Sequence, residues 1–367
     1  MKILRIKVYS MFFILIPLLI FIGCDREEFG IFYSLENEQP TIQSNLRKEV
    51  SVTGIVFEDN TYFAAAGNVF RRATDEDEWS PVNYPSGFEN TLTLDLVDVN
   101  GITYAAFSSL ESESVGLFPL NTEELTWGEN LYSDNPVTAM FSINDILFIT
   151  VESESNYSLL QYDGSQFIST SATDTLALID GAYSTTSGEY WFITPGTILK
   201  GADPASLTGI GPPEVTLEDG TVKQASNFSG IFSDNQGDIY IATLEGYILK
   251  YTVAEDRWDN SPVLRDDTRQ KKLIQFTDFE SVPHAEENGI IVVGTKGKGY
   301  YEIPQGNISE PVEPSGNAYY SIQLSEVTIQ SFSFFGTADT GTLFALTIGN
   351  GLWRTDYSSN DPVWFWE

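Results

Sequence analysis

Short apolar runs separated by polar turn clusters fill most of the chain, and the pattern repeats. Asn227–Asp259 shows it most clearly. The apolar pair Ile231-Phe232 leads into the turn Ser233-Asp234-Asn235-Gln236-Gly237-Asp238. Ile239-Tyr240-Ile241-Ala242-Thr243 follows, then the turn Leu244-Glu245-Gly246, then Tyr247-Ile248-Leu249-Lys250-Tyr251, and Trp258 closes the unit. β-branched and aromatic runs of this length between turn residues predict strands, and four in succession predict an antiparallel meander. From Val50 onward no stretch sustains a helical period.

The second strand of each unit aligns the repeats. Aligned anchors fall at Tyr62, Tyr104, Phe148, Trp191, Tyr240, Val292 and Phe344, with successive spacings of 42, 44, 43, 49, 52 and 52 residues. Third strands recur after them, as in Asn68-Val69-Phe70-Arg71-Arg72 and Gly351-Leu352-Trp353-Arg354-Thr355. Fourth strands carry an aromatic at Trp79, Trp127, Phe167, Trp258 and Trp364. A period in the forties with four strands per unit is the signature of propeller blades. The expected fold is all-β: a seven-bladed β-propeller of four-stranded antiparallel blades over 50–367. The recurring aromatics are expected to pack between blades. The last strand, Val363–Trp366, completes the seventh unit as the first unit starts at Val52. No strand is therefore exchanged between the ends, and closure rests on side-chain packing, with Ile31-Phe32-Tyr33 as an addition at an outer edge.

Gly67-Asn68-Val69-Phe70-Arg71 with Trp79 resembles a degenerate neuraminidase-type (Asp-box) repeat. Asp234–Thr243 is similar to repeats of two-component-regulator propellers, and Gly341–Asp356 is similar to both. The resemblance covers roughly Val50–Glu367 and implies the fold; its motifs are shared by many propellers.

The N-terminus reads as an address. Lys2, Arg5 and Lys7 precede an apolar segment, Val8–Ile22, and then Gly23-Cys24. This is the three-part pattern of a secretory signal peptide with a small residue at the cut. It resembles a bacterial lipoprotein signal with its lipobox, with Phe21 where leucine is commonest. The resemblance implies cleavage before Cys24, the only cysteine, and lipid attachment to it. An uncleaved membrane anchor is the competing reading; the apolar run is short of the roughly 20 residues a span needs. The expected division is 1–23 signal peptide, 24–49 lipidated N-terminus and tether, and 50–367 propeller. Asp25-Arg26-Glu27-Glu28 resembles the acidic signals that export lipoproteins to the cell surface in some bacteria and retain them at the inner membrane in others. The expected location is the cell envelope, outside the cytoplasm, on the outer membrane or cell surface.

Charge narrows the partners. The chain carries a formal charge of −33, and losing Lys2, Arg5 and Lys7 brings it to about −36. Nucleic acid is not an expected partner, because phosphate binding needs a basic stripe. The one basic cluster, Arg269-Gln270-Lys271-Lys272, lies in the long spacer Arg265–Asn288; a second long spacer is Gly201–Ser226. Long loops on rigid scaffolds carry binding, so Arg269, Lys271 and Lys272 are the candidate binding residues, against the plainer reading that they offset Asp266, Asp267 and Asp278.

Catalytic motifs are sparse. The single histidine, His284, sits in a polar loop without a nucleophile motif. N/S-ligated metal sites lack ligands. Gly294-Thr295-Lys296-Gly297-Lys298-Gly299 lacks the P-loop order and fits a tight turn between strands. A sialidase needs an arginine cluster, a tyrosine and acidic partners; the Arg-Ile-Pro motif is missing, its nearest string being Glu302-Ile303-Pro304. Acidic pairs such as Asp75-Glu76 and Asp266-Asp267 suit a glycosidase but are too common to be informative. Calcium could sit at Asp234-Asn235-Asp238, without EF-hand spacing; a solvated turn is the other reading. No cofactor and no catalytic residue is therefore assigned. The sequence reads as a monomeric ring that binds or scaffolds a protein or glycan partner. The alternatives are a sialidase-like glycoside hydrolase or lyase on the same fold, and an assembly factor of an envelope complex. Convergent Arg, Tyr and Glu side chains at the central funnel would mark the enzyme.

Overall fold

The computed structural model describes residue 46 and residues 51–367, apart from 90, 110–114, 155, 175, 217–219, 260–263, 266–273, 284–288, 305–323, 325–326, 338–339 and 357–363. The described chain is an all-β, seven-bladed propeller of antiparallel sheets, each numbered from its innermost strand outward. Blade 1 is Gly54–Glu58, Thr61–Ala66, Asn68–Ala73 and Ser80–Pro81. Blade 2 is Leu92–Val99, Ile102–Ser108, Val115–Asn121 and Thr126–Trp127. Blade 3 is Val137–Ile143, Ile146–Ser153, Asn156–Tyr162 and Phe167–Asp174. Blade 4 is Asp180–Ser184, Glu189–Ile193, Ile198–Gly201 and Thr208–Ile210. Blade 5 is Phe228–Ser233, Ile239–Thr243, Tyr247–Thr252 and Arg257–Trp258, with Leu264–Arg265 also pairing to its third strand. Blade 6 is Phe276–Val282, Ile290–Thr295 and Tyr300–Pro304 among the described residues. Blade 7 is Ile329–Gly336, Gly341–Thr347, Leu352–Asp356 and Trp364–Trp366.

All seven predicted second strands are present, and their composition follows from burial on both faces. In blade 4, Tyr190 and Phe192 face blade 3, whereas Trp191 and Ile193 face blade 5. Alternate side chains point to opposite faces of a strand, so a strand between two neighbours reads as a continuous apolar run. The apolar interior comprises seven clusters, one for each interface between adjacent blades. The five recurrent aromatics all belong to these clusters: Trp79, Trp127, Phe167, Trp258 and Trp364 pack between blades as expected.

Local turn chemistry sets the registers. Two-residue hairpin turns join the first and second strands of blades 1 to 3, at Asp59-Asn60, Asn100-Gly101 and Asn144-Asp145, all with positive φ. Asn, Asp and Gly tolerate this backbone, whose twist matches the flanking strands. In blades 4 to 7 a buried threonine at or just past the end of the second strand folds the turn to the third. Thr194 Oγ1 accepts from the Thr197 amide at 2.9 Å, Thr243 Oγ1 accepts from the Tyr247 amide at 3.0 Å, and Thr347 Oγ1 donates to the Gly351 carbonyl at 2.6 Å. In blade 6, Thr295 Oγ1 donates to the Gly299 carbonyl at 2.8 Å. The Gly294–Gly299 run is thus a tight turn, with Gly297 and Gly299 at positive φ.

The ring closes between blades 7 and 1 without strand exchange. Phe344, Leu346 and Leu352 pack against Val52, Ile55, Tyr62 and Ala64. A buried charge cluster reinforces this seam. Glu367, 2% exposed, accepts from Trp79 Nε1 at 3.1 Å, lies 2.9 Å from Arg72 of blade 1 and 2.6 Å from Arg354 of blade 7. The Arg72 guanidinium also lies over the rings of Tyr62 and Trp79, at 5.5 and 5.2 Å from their centroids.

The two predicted spacers are corrected in part. Gly201–Ser226 holds the fourth strand of blade 4 and a short hairpin, Glu214–Thr216 with Val222–Gln224, whose Val215 is buried against blades 4 and 5. Arg265–Asn288 holds the innermost strand of blade 6, Phe276–Val282. That strand was hidden because it borders the channel, so Thr277, Asp278, Glu280 and Ser281 dilute its apolar pattern.

Candidate funnel at the centre of the ring

The innermost strands surround a cavity of about 920 Å³, lined from all seven blades. It opens on the face where innermost strands begin and second strands end, represented by Thr53, Ala177 and Asn227 on one side and Pro195, Leu244, Lys296 and Ile348 on the other. Ile348 is exposed at this mouth, Leu92 is exposed at the start of the innermost strand of blade 2, and Leu176 is exposed four residues before that of blade 4. The wall is built from backbone, small polar side chains, aliphatic groups and three carboxylates, Asp95, Asp180 and Asp278.

These aspartates occupy one structural position. Val97, Ala182 and Glu280 pair with the anchors Tyr104, Trp191 and Val292, and each aspartate lies two residues earlier. Blades 2, 4 and 6 therefore present a carboxyl at the same depth; blades 3, 5 and 7 place Ala139, Gly230 and Ser331 there. Asp95 Oδ1 accepts from its neighbour Leu96 at 2.8 Å, and a further backbone hydrogen bond comes from Met140 of blade 3. Asp180 accepts from Gly181 at 2.7 Å and from Ile231 of blade 5 at 2.8 Å. In blade 6 Glu280 takes this role, accepting from Ser281 at 3.0 Å and from Phe334 of blade 7. Each of these acids thus staples its blade to the next.

Asp278 instead reaches back to Asp180 of blade 4, and the two carboxyl groups hydrogen-bond to each other. Gly230 lies beneath this pair: a Cβ there would come within 2.5 Å of the Thr277 carbonyl and 2.9 Å of Asp278 Cα. Two carboxyl groups that share a hydrogen bond cannot both be ionised. Asp278 is pushed well above the carboxylate range by desolvation and then by Asp180, so the pair holds a proton between them. Desolvation raises Asp180 and Asp95 to about 7 and Glu280 to about 8. All four side chains are only partly covered, yet neighbouring blades enclose them, and backbone donors offset only part of the desolvation.

The funnel lining contains no arginine, tyrosine or histidine among the described residues; its one cation is Lys296. Arg71, Arg72, Arg257 and Arg354 are paired with Glu76, Glu367, Glu255 and Glu367, away from it. The convergent Arg, Tyr and Glu arrangement that would mark a sialidase-like site is therefore not built by the described lining. The turn considered for calcium uses its carboxylates internally. Asp234 accepts from Gln236 and Asp238 amides, both at 2.9 Å, while Asp238 accepts from the Val253 amide and pairs with Lys250 at 2.8 Å. Cys24, Arg269, Lys271, Lys272, His284 and Ile31-Phe32-Tyr33 lie outside the described residues, as does the apolar Val8–Ile22 segment.

Sequence inspection missed Asp95, Asp180, Asp278 and Glu280. The usable signal was an acidic residue inside an innermost strand at a fixed offset from the facing anchor. First-to-second turns of unequal length place these aspartates 9, 11 and 14 residues before their anchors, which scrambles that offset in the linear sequence.

No protein-family model and no curated protein sequence matches the chain. Solved structures do. The extracellular domain of a protein described as a hybrid two component system from B. thetaiotaomicron superposes with a TM-score of 0.60 at 13% identity, covering 85% of this chain and 38% of that one. A second such extracellular domain from the same organism gives 0.56 at 15% identity, covering 87% and 41%. YCF48, solved bound to D1 peptide, gives 0.58 at 10% identity, covering 85% and 93%. The chain thus spans about two fifths of the length of the two B. thetaiotaomicron chains, and what it shares with all three is the propeller fold.

Proposed function

We propose that this chain is a lipid-anchored binding or sensor module of the cell envelope, working outside the cytoplasm and docking a protein partner at the funnel mouth. The observation that carries this reading is the convergence of all seven blades on one cavity of about 920 Å³ with an apolar rim and no arginine or tyrosine in its described lining. A rigid ring that presents loops around a concave site suits capture better than turnover. The extracellular setting of two structural neighbours and the peptide-bound state of a third support it by analogy of fold. Arg269, Lys271 and Lys272 form a second contact in this proposal, offering an acidic partner local complementarity on an otherwise acidic chain.

Two measurements test it. Cys24→Ser should abolish metabolic labelling with a fatty-acid analogue; a serine variant that still takes label, or a parent chain that never does, removes the lipid anchor. Cross-linking and capture from solubilised envelope should then recover one dominant protein. Its yield should fall in the Leu176→Asp/Ile348→Asp variant and, separately, when Arg269, Lys271 and Lys272 are changed to glutamate, with unchanged melting temperature. Full recovery by the first variant refutes the funnel mouth, and full recovery by the second refutes the basic patch. Hydrolysis of a glycan panel by the purified chain would replace the binding reading with the enzymatic one.

A further inference from the structure

A second concavity, of about 530 Å³, runs along the flank of blade 3. It lies between the Asn130–Asn135 connection from blade 2 and the outer strands of blade 3, and it shares no lining residue with the funnel. Its volume falls within the roughly 300–1,000 Å³ of small-ligand sites.

The wall is unusual for this chain. Ser153, Ser158, Ser169 and Gln166 line it, and no side-chain hydrogen bond to another protein group engages them among the described residues. Asp134 is the one charged group in the lining, on a chain where about a fifth of residues are charged. The floor is aromatic and held in place. Phe167, half-buried, meets Tyr132 edge-on at 5.4 Å between centroids and Tyr162 at 5.0 Å, and Asn135 Nδ2 donates to the Tyr132 hydroxyl at 3.3 Å.

We infer that this flank groove of blade 3 binds a neutral oligosaccharide. A sugar ring presents apolar C–H faces and a rim of hydroxyl groups that both donate and accept. The aromatic floor matches the first, and hydroxyl and amide groups that both donate and accept match the second. An anionic sugar would meet Asp134 and the chain's charge of −33 with no lining cation to receive it. A purely apolar ligand would leave the serine and amide groups dry and unpaired, which is costly.

The test uses the full-length chain in detergent and isothermal titration against maltohexaose, cellohexaose, xylohexaose, laminarihexaose and mannohexaose, with hexagalacturonate as the charged counterpart. At least one neutral hexasaccharide should bind and hexagalacturonate should not. Ser153→Lys and Gln166→Lys, both at exposed positions, should each weaken binding by about tenfold while the melting temperature stays unchanged; tenfold corresponds to about 1.4 kcal/mol. Phe167→Ala should abolish binding, and because Phe167 also packs between blades, the two lysine variants carry the decision. No binding of any neutral probe at millimolar concentration, binding of hexagalacturonate alone, or neutral binding unmoved by both lysine variants would each overturn the inference. None of these outcomes bears on partner capture at the funnel.

Discussion

Glu367→Ala should destabilise the ring by about 3–5 kcal/mol, the cost of breaking a buried ion pair from one side. At about 2–4 °C per kcal/mol for a domain of at least this size class, the melting temperature should fall on the order of 10 °C. The reason is the company Glu367 keeps. Its carboxylate is the counter-charge for Arg72, whose side chain is 4% exposed, and it also holds Trp79 Nε1 and Arg354. Burial already pulls the Arg72 pKa down, and Glu367 is the main influence opposing that. Removing it leaves a buried guanidinium beside Arg354, with aromatic faces and the weaker pull of Asp77 to offset it. Differential scanning calorimetry checks this, with Glu76→Ala as the control: its pair with Arg71 is 3.8 Å long and partly exposed, so about 0–1 kcal/mol is expected there. Arg72→Met combined with Glu367→Leu should recover much of the loss, because apolar residues of similar volume can replace a buried pair. A single variant as stable as its parent would mean that apolar packing alone closes the ring.

The propeller should also be more stable at pH 5 than at pH 8, contrary to the ordinary behaviour of an acidic protein with paired carboxylates. The sign follows from the funnel acids. Asp95 and Asp180 are raised from 3.8 to about 7, and Glu280 from 4.5 to about 8, by desolvation; Asp278 is raised too, by desolvation and by Asp180. Between the unfolded and folded values the native state holds more protons than the unfolded chain, so stability falls as pH rises. For Asp95, Asp180 and Glu280 the window runs from about pH 4 to about pH 8. Exposed acids lowered by hydrogen bonds, such as Glu89 and Asp163, act in the opposite direction at lower pH. Asp278→Asn, which fixes a neutral donor opposite Asp180, should flatten the upper part of the curve. Chemical unfolding at several pH values gives the answer; a parent curve that rises from pH 5 to pH 8 would show that water in the channel keeps these groups ionised.

How much could be read in advance depended on what each strand touches. Second strands were legible because both faces meet another blade: Tyr190-Trp191-Phe192-Ile193 has no solvent side, so its apolar run is unbroken. Fourth-strand aromatics were legible because one large side chain covers the outer part of an interface, as Trp79 does at the seam. The innermost strand of blade 6 was not, because one flank borders the funnel and mixes Asp278 and Glu280 with Phe276 and Phe279. The funnel acids form a site only in three dimensions, since Asp180 finds Asp278 from 98 positions away in the sequence. The Glu367 cluster was equally hidden: Arg72 and Glu367 are ordinary surface residue types, and only ring closure brings them together.

The acid staples have a consequence in counting. They reach from blade 2 to 3, from 4 to 5 and from 6 to 7, which sorts six blades into three couples. Seven is odd, so the alternation cannot run round the ring without a fault, and blade 1 is the member left single. Its two borders are held by other means. On one side Gly54 lets the backbone press against Asp95 and Leu96, where a Cβ would come within 2.5 Å; on the other stands the Glu367 cluster. An eighth blade carrying its own acid would restore parity and make that cluster redundant, whereas the odd ring concentrates its broken symmetry at one place, beside the only blade that has no couple.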